Sequence, residues 1–361
     1  MHESLAVTCG QLIVGGFQGT TLPSSYARAL KNAERAGAIL FRRNLPPDLE
    51  DLARLNAAIL AASRSDLPPI IGVDQEGGRV ARIAAPALRV PPMQTLAKLG
   101  DLAFAERVAT CMATELATLG FTTSFAPVLD VHSHPENPVI GDRSFGTSAE
   151  LVARYGVAFA SGLQNAGVFA CGKHFPGHGD THLDSHFDLP VVAHERARLN
   201  AIELVPFRAA ARGGIESLMT AHVVVSTIDP EVPATLSRAI CTDLLRGELG
   251  FRGVLISDDL EMKAVADRFP VEESAVRSIS AGCDLLLVCS DEALQTRAHE
   301  ALVRRAEKDS AFRERCEEAF ARGLALRRRF PPRPSPSRVQ STVGGEASLA
   351  MARELASRAA P

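Results

Sequence analysis

The chain has 361 residues, 46% of them hydrophobic and 22% charged, proportions that suit a soluble globular protein with a sizeable buried core. Its 39 basic and 42 acidic residues leave a net charge of −3, so no global field draws nucleic acid or an anionic membrane. With no Trp and two Tyr, the composition also argues against an aromatic-rich platform for stacking bases or sugars.

Short apolar, β-branched runs recur in chain order and predict strands at Gln11–Gly15, Ala38–Phe41, Pro69–Val73, Thr123–Ala126, Val168–Gly172, Ser217–Thr220, Val254–Ser257 and Asp284–Val288. The spacing leaves room for a helix after each strand. Leu102, Ala105, Val108, Ala109 and Met112, for example, fall on one face of a helix. Eight strands alternating with helices predict a single (β/α)8 barrel rather than a doubly wound sheet. The expected catalytic domain is 1–330, followed over 331–361 by a Pro/Ser-rich linker (PPRPSPS) and a short C-terminal helix. The basic stretch Arg313–Arg329 reads as a solvated helix face.

Seven cysteines (9, 111, 171, 241, 283, 289 and 316) are odd in number, lack a CxxC pair and fall partly in apolar runs, which fits reduced, buried thiols. The start MHESLAVTCG has no basic region followed by a long apolar one, and no stretch approaches the ~18 apolar residues of a membrane span. A cytoplasmic protein is the expectation.

Polar groups at strand ends carry the functional signal. Asp74, Asp130, Lys173 with His174, His222, and Asp258 with Asp259 each follow an apolar run, and barrel enzymes build their sites at the C-terminal ends of strands. The densest segment runs from Cys171 to Pro190. Its start, Gly167 to Lys173, has the first letters of a phosphate-binding loop, but the middle residues are an apolar strand and His174 stands where Ser or Thr would meet magnesium. His174, His178, His182 and His186 recur every four residues, yet Pro176, Gly177 and Gly179 prevent the helix that would stack four rings around a metal. No metal and no cofactor are expected. What remains is a Gly-rich loop with Asp184 two residues before His186. A carboxylate beside an imidazole fixes its tautomer and stabilises its protonated form, so such a His can give and then take a proton. Asp258 could serve as nucleophile, whereas no GxSxG elbow supports a serine.

The segments VDQEGGRVAR (73–82), NPVIGDRSFG (137–146), KHFPGHGDTHLDSHFDLP (173–190) and ISDDLEM (256–262) resemble the NagZ-type β-N-acetylglucosaminidases of glycoside hydrolase family 3. The resemblance runs in order from about Gly10 to Val288 and leaves only the C-terminal tail outside. It implies a retaining hydrolase that removes terminal β-linked N-acetylglucosamine through a covalent glycosyl-enzyme on Asp258. The Asp184–His186 pair would be the acid/base in place of the second carboxylate usual in retaining glycosidases. Asp74, Arg82, Arg143, Lys173 and His174 match positions that hold the sugar's hydroxyls and N-acetyl group, with Met262, His222 and Asp130 as further candidates for the lining. Arg143 could instead tie its loop by a salt bridge, and His178, His182, His132, His134 and His194 read as loop structure or solvent-exposed residues. The implied partner is a small carbohydrate, a GlcNAc-1,6-anhydro-N-acetylmuramic acid peptide of cell-wall recycling or another β-GlcNAc conjugate, met by a monomer. A β-glucosidase without N-acetyl selectivity, a metal-dependent barrel hydrolase and a non-catalytic sugar sensor are the competing readings.

Overall fold

Runs of Val, Ile and Leu buried on both faces make parallel strands, because every side chain must find an apolar neighbour. The computed structural model describes residues 3–137, 139–181 and 189–359. Eight strands close into a barrel: β1 Ile13–Gly15, β2 Gly37–Leu40, β3 Ile70–Val73, β4 Thr123–Ser124, β5 Phe169–Phe175, β6 Ser217–Thr220, β7 Val254–Asp259 and β8 Leu285–Val288. All are parallel and neighbours follow the chain order, with β8 returning to β1 where Leu286 sits beside Ile13. The (β/α)8 expectation holds. The expected strand bounds shift by a few residues, most at β5, which continues through Lys173 and His174 to Phe175.

The buried side chains sort into two sets by the two-residue period of the strands. Val14, Ile39, Phe169, Met219, Ile256 and Leu287 belong to one cluster, and Ile13, Leu40, Ile71, Leu218, Leu255 and Leu286 to the other. The second set packs under the helices, among them α1 (Leu102–Leu119) and α2 (Ala149–Asn165). The helical pattern read at Leu102–Met112 lies in α1, capped by Asp101, whose side chain accepts from Phe104 N.

The basic stretch departs from the expectation of a solvated face. It lies on α3 (Ser310–Arg329), where Arg315 and Arg322 reach 2.6 and 2.5 Å from Oδ1 of the fully buried Asp284. Arg246 binds the other oxygen of Asp284 at 2.7 Å. Arg327 is itself buried, donating to Oε1 of Gln11 at 2.6 Å. A pattern of charges on a helix does not reveal that a buried carboxylate waits opposite.

After Phe330, whose ring packs edge-on against Phe169, Pro334 lies against Gly120 and the chain ends in α4 (Glu346–Ala359) beside α1. Glu115 of α1 anchors this segment, accepting from Gly344 N at 2.8 Å and Ser348 Oγ at 2.5 Å. All seven cysteines are free thiols, six of them buried. Among the described residues no helix is long and apolar enough to cross a membrane.

Candidate active site

The chain leaves β3 at Val73 and enters a small antiparallel ribbon, Gln75–Gly77 against Val80–Ala81. The turn needs its glycines: φ is +124° at Gly77 and +56° at Gly78, and a side chain at Gly77 would collide with the Met93 methyl and Pro91 carbonyl. Gln75 Oε1 accepts from the N–H groups of Arg82 at 2.8 Å and Ile83 at 3.1 Å, which fixes the returning strand. The ribbon thereby sends Asp74, Glu76 and Arg82 to the mouth of the barrel.

These groups meet Lys173 from β5 and Arg143 from the loop after β4. Lys173 Nζ lies 3.0 Å from Asp74 Oδ1 and 2.6 Å from Glu76 Oε1. Arg143 grips Glu76 with its fork, Nε at 2.9 Å and Nη2 at 2.8 Å, and Arg82 Nη2 stands 3.6 Å from Asp74 Oδ2. Burial pushes the Glu76 carboxyl up, but the charges of Arg143 and Lys173 outweigh it and hold the group well below the usual carboxylate range. Burial likewise opposes the Lys173 ammonium, and Asp74 and Glu76 reverse the effect, so its pKa rises. Arg143 does tie its loop by a salt bridge, and it also lines the cavity. Glu76 was not anticipated, although the sequence places it two residues beyond a strand-end Asp, within a Gly-Gly turn.

His174, the next residue along β5, turns on Asp130. Its Nδ1 lies 2.7 Å from Asp130 Oδ2, and its backbone N–H points at the same carboxylate. His178 N donates to Asp130 Oδ1 at 2.7 Å, and His178 Nδ1 meets Thr181 Oγ1 at 2.6 Å. Of the two readings of His178, loop structure holds and solvent exposure does not: it is 2% exposed and lines the cavity. Burial, reinforced by the adjacent His174, lowers its pKa to about 4, so the ring is neutral at pH 7. Asn137 clamps this loop to the next, donating to the carbonyls of His178 and Thr181 while its Oδ1 accepts from Val139 N and Ile140 N.

Asp258 and Asp259 end β7. Asp259 N donates to Asp258 Oδ1 at 2.8 Å. Burial opposes the Asp258 charge, but His222, His174, that backbone N–H and Lys173 overcome it and pull the pKa below its ordinary value. Asp259 has the opposite balance. Burial, then the charges of Glu261 and Asp258, raise its pKa to about 7, against the N–H groups of Glu261 and Cys289 that its Oδ1 accepts. His222 Nε2 lies 2.9 Å from the Asp259 carbonyl oxygen, and its Nδ1 faces Thr235 Oγ1 at 2.8 Å.

Together these elements enclose a cavity of about 310 Å³ at the C-terminal ends of the strands, lined by Asp74, Arg82, Arg143, Lys173, His174 and Asp258. Met262 also borders it, whereas Asp130 and His222 stand behind the wall as supports rather than as lining. Asp184 and His186, read from the sequence as the acid/base pair, lie outside the described residues, as does His182.

Residues 5–325 match the family described as glycosyl hydrolase family 3 N terminal domain. The chain belongs to glycoside hydrolase family 3. It is 41% identical over 281 residues to a beta-hexosaminidase of Alkalilimnicola ehrlichii, covering 76% of this chain and 79% of that protein. It is 38% identical over 288 residues to beta-hexosaminidase A of Pseudoalteromonas piscicida, covering 74% of this chain but only 48% of that protein's length. Among solved structures, a family 3 beta-N-acetylglucosaminidase from Paenibacillus sp. str. FPU-7 superposes with a TM-score of 0.91 at 38% identity, covering 99% of this chain and 69% of that one. NagZ from Neisseria gonorrhoeae in complex with N-trifluoroacetyl-D-glucosamine gives 0.81 at 33% identity, covering 97% and 98%.

Proposed function

We propose that this glycoside hydrolase is a retaining exo-β-N-acetylglucosaminidase with Asp258 as nucleophile. The observation that carries the reading is Asp258 itself, a carboxylate at a strand end, on a cavity of about 310 Å³, its pKa drawn below the ordinary value against burial by His222, His174, a backbone N–H and Lys173. That volume lies at the small end for ligand sites and suits one sugar ring rather than a bound chain. The kinship to beta-hexosaminidases supports an N-acetylated sugar.

In the first step a carboxylate oxygen of Asp258 attacks the anomeric carbon as the bond to the glycosidic oxygen breaks. His186, steadied by Asp184, delivers the proton that the leaving oxygen needs. In the second, His186 takes a proton from water as that water attacks the anomeric carbon and frees Asp258. Asp74, Arg82, Arg143, Lys173 and His174 supply directional donors and acceptors to the hydroxyls and the N-acetyl group. We assign as substrate class GlcNAc-1,6-anhydro-N-acetylmuramic acid peptides or related β-GlcNAc conjugates, recognised through their non-reducing end.

Release of nitrophenol from 4-nitrophenyl β-N-acetylglucosaminide tests the reading, with wild type beside Asp258→Asn and a chelator present. Turnover that is indifferent to the chelator and lost in the variant supports it. Hydrolysis of the β-glucoside at an equal rate, or a fully active Asp258→Asn, overturns it.

A further inference from the structure

We propose that Asp180, His194 and Glu203 form a binding site for a divalent transition ion of the zinc class, outside the sugar cavity. One imidazole and two carboxylates place a ligand atom each within 4.8 Å of one another. None of the three residues lines the cavity at the strand ends, so the inference stands apart from the reading of Asp258.

The second observation is an unmet oxygen. Glu203 is 3% exposed and its Oε2 accepts no hydrogen bond, while Oε1 has only a long contact, 3.4 Å, from Arg198 Nη2. Its stem cannot withdraw, because Gly177, at a φ of +132°, packs so closely that a Cβ there would meet Glu203 Cβ at 3.0 Å. A buried carboxylate of this kind is relieved by its own proton or by a positive partner in contact with it.

Arg198 answers that need poorly. Its Nη2 reaches Asp180 Oδ2 at 2.9 Å, its Nε is buried with no acceptor, and more than a third of the side chain is open to solvent. His194 Nε2 already contacts Asp180 Oδ2. Rotation of Arg198 outward would leave three ligand atoms within 4.8 Å of one another, a spacing that a compact divalent ion can bridge. An imidazole nitrogen with two carboxylate oxygens is a three-ligand set for zinc, with a fourth position left to water. Magnesium and calcium prefer oxygen alone, so they should compete weakly. In the sequence Asp180 and His194 stand on either side of Asp184 and His186, so an ion held by both would join the two ends of that stretch.

The test is a zinc titration of the full chain, freed of metal by chelator, against a chromophoric chelator of known affinity, with magnesium as control. One equivalent of zinc is expected, with affinity reduced about tenfold or more in Glu203→Gln and in His194→Gln. Arg198→Met should bind more tightly than wild type, because the competing cation is gone. Thermal melts establish that each variant is folded, and Arg198→Met alone decides the matter if the other two are not. Unchanged affinity in Arg198→Met, or in both ligand variants, overturns the site, as does an absence of zinc binding by wild type below millimolar concentration.

Discussion

His174 Nδ1 stands 2.7 Å from Oδ2 of Asp130, a carboxylate with no exposure to solvent. Asp130 also accepts the backbone N–H groups of His174 and His178, so it is surrounded by donors. Burial raises its pKa, and the two histidines more than reverse that. An ionised Asp130 keeps the proton on His174 Nδ1 and so sets how the ring's other nitrogen is presented.

Asp130→Asn introduces an amide N–H2 among groups that already donate. The expected result is a loss of about 1.5–3 kcal/mol for a charge-assisted hydrogen bond, read as a roughly 10- to 100-fold fall in kcat/KM. Steady-state kinetics on the nitrophenyl substrate, paired with a thermal melt, measures it. An active variant would show that His174 needs no such support.

Glu76→Gln should be among the most damaging changes outside Asp258. It leaves Lys173 and Arg143 facing a neutral amide in a buried site, and breaking such a pair costs about 3–5 kcal/mol. Urea unfolding at pH 7 would show the loss. The pH dependence has a definite sign: with its folded pKa held down, Glu76 adds stability that is complete above its unfolded value of about 4.5 and is lost as pH falls below it. The gap between wild type and Glu76→Gln should therefore narrow from pH 7 to pH 3.

Asp259 should behave in the opposite way. Its folded pKa of about 7 lies above the model-peptide value, so the native state holds a proton that the unfolded chain releases. Stability from this group is complete below about pH 4 and declines as pH rises to about 7. Asp259→Asn keeps an oxygen for the Glu261 and Cys289 N–H groups and removes the charge. Its melting temperature, compared with wild type at pH 5 and pH 8, should gain more at pH 8. An equal difference at both would refute a protonated Asp259.

His186→Ala should separate substrates by their leaving groups. A nitrophenolate departs with little help, whereas a sugar hydroxyl needs a proton, so the loss should be about 100-fold or more greater on a disaccharide of GlcNAc. Parallel assays on the two substrates would show it, and an equal loss on both would remove His186 as the acid.

Much of the barrel was legible because each parallel strand is a bare apolar run, and the polar residue that ends a run marks the mouth. That rule alone reached Asp74, Lys173, His174 and Asp258, all on the cavity. It stopped short of Glu76, because the side chain is carried inward by a two-strand ribbon that no periodicity announces over three residues. It left solvent exposure open for His178, because a histidine in a Gly-rich loop looks exposed until the carboxylate that receives its N–H is located 48 residues away. Arg315 and Arg322 were misread for the same reason: their partner, Asp284, is a strand-end residue at the opposite mouth from the sugar cavity.

That triad of arginines on Asp284 sets a lower bound on the unit that can fold. A polypeptide ending near residue 310 would possess all eight strands and every group assigned to the sugar, yet would keep only Arg246 of the three arginines on Asp284. Helix α3 is thus a closing clasp, joined to the final strand by charge rather than by sheet. Shortened versions made for crystallisation or fusion should retain everything through Arg322, and those that stop earlier should be recovered as aggregate.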